Sequence, residues 1–286
     1  MEIETKPIYK KWLLWGGCAG ALVLLIVGML LLRNNRIKPN APADTVPAEN
    51  LHQQEIETSQ TLIPTENPLQ PEDFAYEGDY LTCLNIPARL GVDVSEWQGQ
   101  IQWEQVAQAG MEFAMIRLGY RGTTAGGLSA DEYAQSNYEA ATAAGLQVGG
   151  YFFSQAVTPE EAVEEAEFVL EMIRDWEIRM PVVYDWEYGG ADSRTANVDA
   201  RTLTDCTLAF CRTIAEAGYE TMIYFNEDQS HKDMYLGELT DYRFWLAQYG
   251  QMLDYPYRVD MWQYTSQGSV PGIGGNVDIN LLFEYE

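Results

Sequence analysis

The chain has 286 residues, with 17 Lys and Arg against 43 Asp and Glu, for a formal charge of −26. Residues 39–286 alone carry a net −30 with Lys232 as their only lysine, a surface that repels phosphate and argues against a nucleic-acid partner. His52 and His231 are the only histidines, and Cys18, Cys83, Cys206 and Cys211 show no metal-ligand spacing, which argues against a metal site, a histidine-dependent triad and a disulfide framework; no cofactor is expected.

In chain order, the first element is Trp12–Leu32, a run of 21 residues without a charge. At about 1.5 Å per residue such a helix spans roughly 31 Å, close to the ~30 Å hydrocarbon layer of a bilayer. A transmembrane helix over 12–32 is therefore expected, with residues 1–11 as a tail. Lys6, Lys10 and Lys11 precede it and Arg33, Arg36 and Lys38 follow it, so basic flanks do not orient it. A cleaved signal peptide fits less well, because the small residues Ala41-Pro42-Ala43 lie beyond those basic groups. Residues 33–86, rich in proline and acids, read as a disordered linker, and residues 87–286 as the folded domain.

From Leu90 strands and helices alternate. Strands are predicted at 90–94, 112–118, 146–153, 181–187 and 221–225, with helices at 101–109, 131–144, 158–176 and 199–217 between them. Thr158-Pro159-Glu160-Glu161 supplies an N-cap, a proline at the first helical position and a capping-box acid. Three further strand-like runs, 244–249, 259–264 and 277–283, follow with little helix. Repeated strand–helix units imply parallel strands covered by helices, either an open sheet or a closed β/α barrel. No Gly-rich phosphate loop follows the first strand, which argues against a nucleotide-binding sheet.

The strand ends carry the chemistry. Met180-Pro181-Val182-Val183-Tyr184 leads into Asp185-Trp186-Glu187, and alternation along a strand puts Asp185 and Glu187 on one face. Asp93 ends the first strand, and Asp278 lies in the last. Chemistry in a barrel gathers at the C-terminal strand ends, so these four carboxylates are expected to meet in one acidic mouth suited to acid/base work. Aromatics surround these positions, among them Trp97, Tyr120, Tyr151, Phe153, Trp245, Tyr249, Trp262 and Tyr264, with Gln248 nearby. Aromatics with a polar tip suit the faces and hydroxyl rims of sugars, although aromatics in strands also build cores. Trp262 and Tyr264 share one face and Gln263 the other, so all three cannot line the mouth. Arg117 and Arg243 are candidates to pair with the acids, or simple surface ion pairs.

Residues 90–286 resemble the family 25 glycoside hydrolases, the Chalaropsis-type lysozymes. The resemblance rests on Gly91-Val92-Asp93-Val94-Ser95 with Trp97-Gln98-Gly99, on Val148-Gly149-Gly150-Tyr151-Phe152-Phe153, and on Pro181 through Glu187. It continues through Ile223-Tyr224, Trp245-Leu246-Ala247-Gln248-Tyr249, Met261-Trp262-Gln263-Tyr264 and Val277-Asp278-Ile279-Asn280. The resemblance implies a β/α barrel with fewer helices towards its C-terminal end. It further implies cleavage of the β-1,4 bond between N-acetylmuramic acid and N-acetylglucosamine in peptidoglycan glycan strands. Glu187 matches the family's proton donor, and Asp185, Asp93 and Asp278 match its other acids. Substrate contacts are expected from Tyr120, Tyr151, Phe153, Trp245, Gln248, Trp262 and Tyr264. Many relatives have His where Phe152 stands. On this reading Glu187 carries a proton, Asp185 stays ionised, and retention, inversion and substrate assistance are all open. The rivals are a chitinase-like glycosidase, whose longer acid run is missing here, and a catalytically silent glycan-binding tether. The anchor would place the N-terminus in the cytoplasm and the catalytic domain outside the cell. The sequence does not give an oligomeric state.

Overall fold

The inner faces of eight strands set the architecture. The computed structural model describes residues 63–285. The predicted tail and membrane span at 1–32, and the linker as far as residue 62, lie outside the described residues. Among the described residues no helix is long and apolar enough to cross a membrane.

The elements run β1 (Phe74–Glu77), β2 (Tyr80–Cys83), β3 (Ala88–Val94), α1 (Trp103–Gln108), β4 (Phe113–Arg121), β5 (Leu128–Ala130), α2 (Ala134–Ala143), β6 (Gln147–Ser154), α3 (Pro159–Ile173) and β7 (Val182–Trp186). They continue with α4 (Ala200–Glu216), β8 (Thr221–Asn226), α5 (Glu227–Lys232), β9 (Arg243–Ala247), β10 (Met261–Gly268) and β11 (Val277–Phe283). Strands β3, β4, β6, β7, β8, β9 and β10 are parallel neighbours in that order. Antiparallel β11 pairs with both β10 and β3 and closes the barrel at eight strands, with β5 as an annex on β4. The barrel branch of the sequence reading is the one found.

Alternation divides each strand between two cores. Along β7, Val182, Tyr184 and Trp186 pack outwards under the helices, while Val183 points into the barrel. The interior is filled from the N-terminal end by Phe113, Met115, Met180, Val183, Met222, Met261 and Leu282, with Trp245 above them and Tyr151 and Tyr224 packed alongside. Gly149 is required by this filling, because a Cβ there would lie 2.7 Å from the Met115 methyl. The floor is therefore solid apolar packing, and only the C-terminal ends of the strands remain for polar side chains.

Helical cover thins after β8, as expected: α5 has six residues, and the described connection between β9 and β10 has no helix. The segment 63–83 takes over that cover, and here the linker reading of 33–86 needs correction. Asn67 N donates to Pro256 O at 3.0 Å, Arg258 N donates to Thr65 O at 2.7 Å, and Glu66 bridges Tyr257. The β1–β2 hairpin then lies over β10 and β11, with Phe74 edge-on to Trp262 at a centroid distance of 5.0 Å. Leu69, Phe74, Leu81 and Cys83 are all buried in the outer core. Strands of four residues beside prolines and acids give too short an alternation to separate from linker sequence.

Candidate active site

β7 sets the site. Its ladder ends at Trp186, leaving Asp185 on the inner face and Glu187 just beyond the sheet on the same side. β3 delivers Asp93 and β11 delivers Asp278, which are directly paired across the antiparallel ladder. All four carboxylates line one cleft at the C-terminal ends of the strands, about 240 Å³ in volume.

An amide network fixes Asp93. Its Oδ2 accepts from Gln263 Nε2 and Asn280 Nδ2, both at 2.8 Å. Gln263 Oε1 in turn accepts from the hydroxyls of Tyr224 at 3.2 Å and Tyr249 at 3.0 Å, and Asn280 Oδ1 accepts from Trp245 Nε1 at 2.9 Å. Each amide thus donates towards the acid and accepts from an aromatic, which fixes both flips.

Burial raises every acid here, and repulsion from a neighbouring acid adds to it for Asp93, Asp185 and Glu187. Asp93 is pushed up to about 8, by burial first and then by Asp278. Burial holds Asp278 at about 6. Glu187 is raised by burial and then by Asp278. Asp185 is driven well above the carboxylate range by burial, then by Glu187 and Asp93, with Arg117 opposing. Asp185 and Glu187 line the same cleft from one strand end, and the charge of Glu187 is part of what holds the Asp185 carboxyl up. This differs from the expectation that Asp185 is simply ionised: it is the deeper member, and its Oδ1 is buried without a protein partner.

Arg117 lines the cleft, held by Asp131 at 2.8 Å and Glu96 at 2.7 Å. Arg243 instead sits at the start of β9, beside Glu220 and Asp260, away from the acids.

Of the expected substrate contacts, Tyr151, Phe153 and Trp245 line the cleft. Trp262 and Tyr264 do not: they face outwards and are buried in the outer core beneath the hairpin, so Gln263 is the β10 residue that reaches the cleft. Tyr120 stands under Arg117, 5.2 Å from its guanidinium, and is not part of the cleft lining. Gln248 points away as well, its Nε2 donating to Asp254 at 2.6 Å and Glu227 at 3.1 Å. Phe152, the departure from the family's histidine, packs outwards on Phe168 at 6.0 Å. Ser95, Gln98 and Tyr224, quoted above only within motifs and not as expected substrate contacts, also line the cleft, and Trp97 and Tyr249 belong to its wall rather than to a core. Trp97 is 79% exposed, which for a tryptophan at a cleft mouth marks an open stacking platform. Among the described residues no cluster of His, Cys, Asp or Glu is arranged to hold a metal.

The model of glycosyl hydrolases family 25 matches residues 92–273, more than half of the chain. The chain belongs to this family. It is a glycoside hydrolase, and the matched stretch contains Asp93, Asp185 and Glu187 but ends before Asp278. It is 27% identical to YegX of Escherichia coli (strain K12) over 212 residues, 70% of this chain and 72% of that one. It is also 27% identical to Lysozyme M1 of Streptomyces globisporus over 201 residues, 66% of each chain. The modular autolysin LytC of Streptococcus pneumoniae, solved with a synthetic peptidoglycan ligand, superposes with a TM-score of 0.58 at 26% identity. That match covers 68% of this chain and 47% of LytC.

Proposed function

We infer that this family 25 enzyme is a muramidase, cutting the β-1,4 bond between N-acetylmuramic acid and N-acetylglucosamine in peptidoglycan. The observation that carries the reading is the convergence of Asp185 and Glu187 with Asp93 and Asp278 in one aromatic-rimmed cleft. Glu187, the more accessible of the Asp185–Glu187 pair, donates to the glycosidic oxygen. Asp185, on the same strand face, presents its carboxyl towards the positive charge that develops at the anomeric carbon. Asp93 and Asp278 position the sugar and keep the pair's proton affinity high.

The tethering reading rests on the sequence of residues 12–32. With that span as an anchor, the N-terminus is cytoplasmic and the enzyme works on the wall outside. Thr65 joins the domain beside Arg258, close to the N-terminal ends of β9 and β10 and opposite the cleft.

Mass spectrometry of muropeptides released from purified sacculi tests the reaction. N-acetylmuramic acid at the new reducing end is expected, and N-acetylglucosamine there would refute the muramidase assignment. A Glu187→Gln variant that binds sacculi and releases nothing separates catalysis from the silent-tether alternative. Protease shaving of intact cells tests the orientation, with loss of the 63–285 fragment as the expected result.

A further inference from the structure

The β1–β2 hairpin lies outside the stretch that the family model matches, yet it walls a second cavity of about 680 Å³ against the barrel. That volume lies within the range of small-ligand sites. The hairpin contributes Tyr76, Asp79 and Tyr80, and the end of β10 contributes Tyr264, Thr265 and Gln267. Tyr76 is 53% exposed, an aromatic face left open. Tyr264 is 3% exposed, and its hydroxyl, near the Leu81 backbone, makes no hydrogen bond of good geometry. Asp79 is the only charged side chain in the lining, which suits an uncharged ligand rich in hydroxyls and amides better than an anion.

The cavity and the cleft lie back to back. On β10, Gln263 enters the cleft and Tyr264 the cavity; on β11, Asp278 and Ile279 divide the same way. A wall one strand thick therefore separates two openings that both carry tyrosine and amide groups.

We propose that this cavity is a second glycan-binding site, holding uncharged N-acetylhexosamine rings of the same polymer whose neighbouring segment occupies the cleft. It rests on the muramidase reading for the identity of the polymer, but its test does not depend on cleavage. The full-length chain carrying Glu187→Gln is titrated against purified sacculi in a pelleting assay. Adding Tyr76→Ala is expected to weaken binding about threefold to tenfold, the loss of one ring-stacking contact. Tyr76→Trp should retain binding, and Gln267→Ala should weaken it. Unchanged binding in both alanine variants overturns the proposal, as does a tryptophan variant that binds as weakly as Tyr76→Ala. If Tyr76→Ala melts earlier than its parent, Gln267→Ala decides alone. Muropeptide release by the wild-type chain is read in parallel. Cleavage without any Tyr76 or Gln267 effect sinks the second site only, while those effects without cleavage sink the muramidase reading only.

Discussion

Asp278 and Asp93 are directly opposite one another in the antiparallel ladder between β11 and β3, so closing the barrel itself forces two carboxylates together. Their folded-state values of about 6 and about 8 lie above the ordinary carboxylate value of ~4. The folded state therefore binds more protons than the unfolded chain between about pH 4 and pH 8. This contribution to stability is complete below about pH 4 and is lost as pH rises through 6 and then 8. Asp93→Asn keeps an oxygen to accept from Gln263 and Asn280 while removing the charge. Thermal melts are expected to show a smaller fall between pH 5 and pH 8 in that variant than in wild type, about 2–4 °C for each kcal/mol relieved. Parallel curves for the two proteins would refute the assignment of the repulsion to Asp93.

Asp278 also raises Glu187, second only to burial. Removing its charge lets Glu187 lose its proton at lower pH, while an acid catalyst must hold one. Asp278→Asn is thus expected to move the alkaline limb of kcat/KM to lower pH, with the acidic limb less affected. A limb that stays in place would assign it to a group other than Glu187.

How much of this was legible beforehand follows from the period of two. It fixed Asp185 with Glu187, and Trp262 with Tyr264, because a strand dictates which residues share a face. It could not give the sign of a face: β10 turned its aromatics outwards because the hairpin at 74–83 offered Phe74 to Trp262 and left Gln263 to clamp Asp93. Gln248 and Tyr120 were misplaced for a related reason. Both are polar-tipped groups near strand ends, and their orientation is set by distant partners, Asp254 and Glu227 for one and Arg117 for the other. Trp97 stands on a short 3-10 turn at Glu96–Gln98, where no strand or helix periodicity reports direction.

Phe74 tests whether the hairpin belongs to the folded unit. It is 9% exposed and contacts Trp262 and Phe283 at 5.0 and 6.1 Å. Truncating a buried phenylalanine costs about 3–5 kcal/mol. Urea unfolding of Phe74→Ala is expected to show a loss of that order, with turnover per folded molecule at low temperature kept. A loss below about 0.5 kcal/mol, the level of an ordinary surface change, would mean that the hairpin is not part of the cooperative core.

Gln155 addresses how Glu187 is held once its strand has ended. The β7 ladder stops at Trp186, and from there side-chain amides replace strand partners: Gln229 Nε2 donates to Trp186 O at 2.6 Å and Gln155 Nε2 donates to Glu187 O at 2.5 Å. Gln155 is fully buried and makes no direct contact with the cleft, so it is a positioning residue. Gln155→Leu keeps the bulk and removes the donor, freeing the backbone that aims the acid. A misplacement of about 1 Å in such a group costs on the order of 10²-fold in rate. Expected is a fall in kcat of about tenfold to hundredfold. Sacculus affinity, measured in the Glu187→Gln background, should not change, since the sugar contacts remain. A purely structural role would lower the folded fraction and leave kcat per folded molecule intact. That result, with activity normalised to the folded fraction by circular dichroism, would remove Gln155 from the catalytic geometry.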